Sequence, residues 1–233
     1  MPAHAPTRPY GFGLVTNLCI VLLILFAFVS LISLVAGLRE LEATLRVPDG
    51  AHVGAGELTG TRSTLSLLQG MALVVCATAI VAWAWLAKAG VLALGADGMS
   101  FSPFLAAACF IVPVASLWLP YRAMAETWRA SRDPGRWRAQ VVPPLLAAWW
   151  ASWLCFVATA AAARFAREAG AGAALTDTAA LANDVCGAVS AVLLVLVVNA
   201  VANAQDAWHE ALRARSRRAA VPSLASRQGA LTR

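Results

Sequence analysis

Five stretches of this chain are too long and too apolar to be the core of a water-soluble domain. They lie at about 14–38, 65–89, 102–119, 141–165 and 180–204. About 20 helical residues cross the roughly 30 Å of bilayer hydrocarbon, so each stretch is a candidate crossing. Only 13% of the residues are charged, against about 25% in a typical soluble chain. The expected fold is therefore an all-α integral membrane bundle of five hydrophobic helices. Lipid is its solvent, and every backbone polar group must be satisfied within the protein.

The chain divides around those stretches. Residues 1–13 are short and Pro-rich and read as a disordered tail, 14–206 as the transmembrane domain, and 207–233 as a basic tail with a disordered end from Val221. The first stretch is longer than the 7–15-residue apolar core of a cleaved signal and has little positive charge before it, so it reads as a retained span. Within it, Asn17 and Ser30 are expected to hydrogen-bond backbone or a neighbouring helix. Leu38, Leu41 and Leu45 keep helical spacing beyond the apolar block, and Pro48-Asp49-Gly50 ends that helix. Trp83, Trp85 and Lys88 close the second stretch as a headgroup-level belt.

The third stretch is the unusual one. Pro113 removes a helical donor, which predicts a kinked crossing inside the bundle or a re-entrant segment. After Pro120 the pattern turns amphipathic. Tyr121, Met124 and Trp128 share one helical face, and Arg122, Glu126 and Arg129 share another. This predicts a helix at 121–131 lying on the membrane surface with its apolar face down. Pro143 and Pro144 suit a first helical turn. In the stretch they open, Ala147/Ala151 and Ala158/Ala162 are small-residue pairs expected to let helices approach closely.

Charge sets the expected orientation. The net charge is +6, carried by arginine apart from Lys88. With five crossings, 14 of the 18 basic residues fall on the C-terminal side, which predicts the C-terminus in the cytoplasm and the N-terminus outside. With a re-entrant 102–119, four crossings leave 13 of the 18 on the cytoplasmic side together with both termini. The basic face is expected to meet anionic headgroups of the cell membrane. No aromatic-interleaved basic domain accompanies it, so nucleic acid is not an expected partner.

Pro113, Trp118, Pro120, Tyr121, Arg122, Glu126 and Trp128 form the one dense motif. From Pro113 to Ser131 the chain resembles the bacterial domain-of-unknown-function 4328 family, whose signature there is roughly P-x-x-N-L-W-x-P-Y-x-x-M-x-E-x-W-x-A-S. Leu117, Met124, Ala130 and Ser131 also match, while the family's asparagine stands as Ser116. Upstream, the family's W-x-x-R-A-x-x-N is met by Trp85, Lys88 and Ala89, with Leu92 in place of the asparagine. The resemblance implies a multi-span membrane domain with no assigned activity and no substrate.

For function, the chain reads as a non-catalytic envelope scaffold that binds a protein partner, or itself, through its basic face. The alternative is a small transporter or channel-like component using Asp184, Asn199, Asn203 and Asp206, since ionisable and polar groups in a span are costly to bury. An enzyme is not expected. The three histidines (His4, His52 and His209) are scattered through tail, loop and tail, and no nucleophile–base, metal-ligand or phosphate-loop motif appears. Five well-separated cysteines suggest apolar packing, with no metal and no cofactor.

Overall fold

The computed structural model describes residues 9–46, 55–112 and 114–231. The expected break at Pro48–Gly50, the loop residue His52 and the kink residue Pro113 lie outside the described residues. Described residues form α1 (Phe12–Arg46), α2 (Ala55–Ala93), α3 (Pro103–Ala108), α4 (Leu119–Arg132), α5 (Pro144–Glu168) and α6 (Ala173–Leu231), with short 3-10 turns at Ala115–Leu117 and Trp137–Ala139. Among the described residues there is no strand.

Four helices, α1, α2, α5 and α6, are long and apolar enough to cross a membrane. Even the shortest, α5 with 25 residues, extends about 38 Å at 1.5 Å per residue. The third apolar stretch does not make a fifth such helix among the described residues. Its helix α3 has six residues, about 9 Å. Ser102 caps it by accepting from the Leu105 amide at 3.2 Å, and Pro103 sits in its first turn. The chain then turns through Cys109 and the 3-10 segment.

α6 is the central helix. Half of its most apolar window is buried, against 11% in α2 and 17% in α5. α1 and α5 pack along α6, and α2 packs mainly along α1. The core is built of Leu23, Phe26, Trp83, Trp149, Phe156 and Val198 with their neighbours. Helix ends follow local chemistry. Gly95 (φ +90) and Gly170 (φ +66) take left-handed conformations after α2 and α5, and Ala96 and Ala171 donate back to Val91 and Ala166. Pro144 opens α5, as the sequence suggests.

Four expectations change. The end of the chain from Val221, read from sequence as disordered, continues α6 as helix to Leu231. The helix at 121–131 is not a surface helix with its apolar face on lipid. Met124 and Trp128 belong to the core, and Ala123, Glu126, Thr127, Ala130 and Ser131 are buried too. An amphipathic pattern reports two chemically different faces, and here protein covers the apolar face and Glu126 while Arg122 and Arg132 stay exposed. Trp83 and Lys88 are not headgroup anchors, since both are fully buried, whereas Trp85 is half exposed. The pairs Ala147/Ala151 and Ala158/Ala162 face outward instead of lining a helix contact. Ser30 behaves as expected, accepting from Gln69 of α2 at 3.0 Å.

Candidate functional site

Two polar centres lie at opposite ends of the bundle. At the α4 end, Lys88 of α2 donates from Nζ to Glu126 Oε2 of α4. The same carboxylate accepts the backbone amides of Ser100 and Phe101, which lie between α2 and α3. Burial alone would raise the Glu126 pKa. The hydrogen bond from Lys88, the two amides and the lysine's charge outweigh it and hold the carboxyl below its usual range.

Gln205 of α6 completes this clasp. Its amide nitrogen donates to the Ala87 carbonyl at 3.0 Å and to Ser131 Oγ at 3.1 Å. Trp208 donates to the Arg132 carbonyl at 3.2 Å. From the segment after α4, Trp137 Nε1 donates to the Asp97 carbonyl at 3.0 Å and Arg138 donates to that of Gly98 at 2.6 Å. Gly98 has φ +66, and an added Cβ would stand 2.6 Å from the Arg138 guanidinium. The clasp therefore ties α2, α4, α6 and the 94–102 loop into one unit.

The sequence motif now has a physical content. Lys88 stands where the upstream pattern has arginine, and Glu126 is the motif's glutamate, so the two halves of the resemblance meet as an ion pair. Met124 and Trp128 fill the core and Ala130 is fully buried. Ser131 links to Gln205. Pro120 is buried at the start of α4. Tyr121 packs near Trp150 at 6.4 Å. Trp118 is half exposed and Arg122 is exposed. The domain of unknown function DUF4328 matches residues 56–203.

The chain belongs to the DUF4328 family. The match takes in α2 through the first half of α6, and so includes the clasp except Gln205 and Trp208. Beyond DUF4328, no curated protein and no solved structure matches the chain. The family's function is unassigned, so the clasp must be read from its own chemistry.

At the other end, Asp184 of α6 is 4% exposed. It accepts from Ser33 Oγ of α1 at 3.0 Å and also bonds Gln69 of α2, with the Arg62 guanidinium near enough to act on its charge. Arg62 also pairs with Glu40 at 3.4 Å. Asn183 donates to the Phe156 carbonyl of α5 at 2.9 Å. Ser33, Arg62, Gln69, Asn183 and Asp184, with Arg167, line a cavity of about 240 Å³.

The other polar residues suggested by the sequence do not join this centre. Asn199 and Asn203 are exposed and bond each other at 3.3 Å, and Asp206 is half-buried. Among the described residues, no three His, Cys, Asp or Glu side chains converge as a metal site would require. Sequence reasoning missed Gln205, Gln69, Ser33 and Arg62 as members of either centre. Each is one polar residue in an unremarkable local context, and only its partner on another helix gives it a role.

Proposed function

We propose that this is a non-catalytic, multi-pass protein of the cell membrane that presents a rigid basic platform at the cytoplasmic face to an acidic partner. The observation that carries this reading is the clasp. It spends the apolar and acidic faces of α4 on internal contacts and leaves Arg122, Arg132, Arg136 and Arg138 exposed. Arg213, Arg215, Arg217 and Arg218 extend the basic surface along α6.

The orientation that goes with this reading has four crossings and both termini inside. It places 13 of the 18 basic residues in the cytoplasm, as the positive-inside bias favours. The 102–118 segment then lies at the inner interface. There Phe104, Ile111, Val114 and Trp118 offer exposed apolar surface to lipid. The test is a pull-down in mild detergent of the wild type against Arg122→Glu/Arg132→Glu/Arg136→Glu. A partner held by the wild type and lost by the variant supports the platform. A partner set indifferent to the three charges removes it.

A second reading, a small transporter, rests on Asp184, which is a carboxylate buried between helices beside a polar cavity. It replaces Asn199 and Asn203 as the residue to test. Under this reading, cation flux into vesicles holding the purified protein would fall to background with Asp184→Asn.

A further inference from the structure

The polar cavity is not isolated. An apolar cavity of about 440 Å³ adjoins it and shares Phe26, Leu73 and Phe156 with it as common wall. α2 rests on α1 and α5 rests on α6, so a lateral groove runs between α2 and α5 with α1 and α6 as its floor. Leu23 of α1, Cys76 of α2, Trp149 and Trp153 of α5, and Ala191 and Leu194 of α6 line the apolar part. Its α2 rim carries Val74 and Ala77, both exposed, so the groove opens sideways from the bundle. At Gly187 the floor is as low as it can be, since an added Cβ would meet the Phe156 ring at 3.0 Å.

The volume is in the range of ligand pockets, about 300–1,000 Å³. Apolar walls give water no partners, so water does not fill such a space. One end of the groove is apolar, and the other carries two guanidiniums, Arg62 and Arg167, with amide and hydroxyl donors. The Asp184 carboxylate there is already engaged by Ser33, Gln69 and Arg62. That is the polarity of a lipid standing in a leaflet, with its head at the interface and its chain running toward the midplane.

We propose that this groove holds one acyl chain of a phospholipid, with its phosphate at Arg167 and the chain between α2 and α5 against Trp149 and Trp153. Arginine suits the phosphate because its planar fork donates two parallel hydrogen bonds. In the four-crossing orientation the lipid belongs to the outer leaflet. The site depends on the bundle lying in a membrane, and is independent of any partner at the basic platform.

The test is native mass spectrometry of the full chain in mild detergent, titrated with lysophosphatidylglycerol and, separately, with monoacylglycerol of the same chain length. One retained lysophosphatidylglycerol per chain is expected, with monoacylglycerol held about tenfold more weakly, the loss equivalent to one charge-assisted contact. Arg167→Gln should bring the phosphate lipid to the monoacylglycerol level. This residue is exposed at the cavity mouth, so the substitution spares the Arg62–Glu40 pair. Ala77→Trp, on the open rim, should abolish retention of both. Equal retention of the two lipids, an unaffected Arg167→Gln, or an adduct surviving in Ala77→Trp would each overturn the proposal.

Discussion

Lys88 and Glu126 lie 38 positions apart and form a buried ion pair that fastens α4 to the end of α2. The lysine ammonium has no exposed surface, and the carboxylate has little. Breaking a buried pair from one side leaves an uncompensated charge, at a cost of about 3–5 kcal/mol. Lys88→Met and Glu126→Leu should each lower the thermal midpoint in detergent sharply. Lys88→Arg, which keeps the charge and matches the upstream DUF4328 pattern, should stay near the wild type.

Gly90 and Gln205 make a second coupled pair. A Cβ at Gly90 would stand 2.4 Å from Gln205 Oε1. Gly90→Val should therefore push the amide off the Ala87 carbonyl and Ser131, losing two hydrogen bonds of about 1 kcal/mol each. Gln205→Ala loses the same bonds directly. In a double-mutant cycle on thermal stability, the combined variant should cost clearly less than the sum of the singles, because both act on one set of contacts.

Acid should loosen the clasp through Glu126. Its folded pKa lies below the unfolded value because Lys88 and the Ser100 and Phe101 amides favour the charged form more than burial opposes it. A depressed carboxyl contributes stability above its unfolded pKa, about 4.3, and loses that contribution as pH falls through the folded value. Thermal midpoints measured from pH 7 down to pH 3 should decline in that window. In Glu126→Gln this part of the decline should be missing.

Trp128 gives a test of where α4 sits. It is 6% exposed, and Arg132 stacks on its ring at 4.9 Å. Trp128→Glu would put a charge in the core and remove the indole that fills it, at a cost of several kcal/mol. The expected result is loss of folded protein in size-exclusion chromatography. A helix resting on lipid would merely lift off and leave the bundle intact.

Topology can be read at Asp97, in the loop that Trp137 and Arg138 hold. The four-crossing orientation puts this loop on the same side as the C-terminus. Reporters fused at Asp97 and after Arg218 should both give the cytoplasmic signal. An external signal at Asp97 would restore a fifth crossing through 102–119.

Some of this architecture was open to view in the chain itself. Length and hydropathy determine that Phe12–Ala43, Arg62–Ala93, Pro144–Glu168 and the apolar part of α6 are helices suited to lipid, because spanning is a property of one segment at a time. The same holds for Pro144 at the start of α5. The motif around Glu126 was legible as a pattern but not as a contact.

Tertiary structure decided the rest. An amphipathic period at 121–131 fits an apolar face on lipid or one on protein, and only packing against α2 and α6 chose the second. Lys88 beside Trp85 has the local signature of an interfacial anchor, yet a carboxylate 38 residues later draws it inside. Asp184 and Asn199 look alike as polar residues within an apolar helix. Ser33 and Gln69 meet the first, while the second faces outward. A segment's apolarity is written in its own residues, but the satisfaction of a buried polar group depends on another helix, and sequence spacing does not carry that distance.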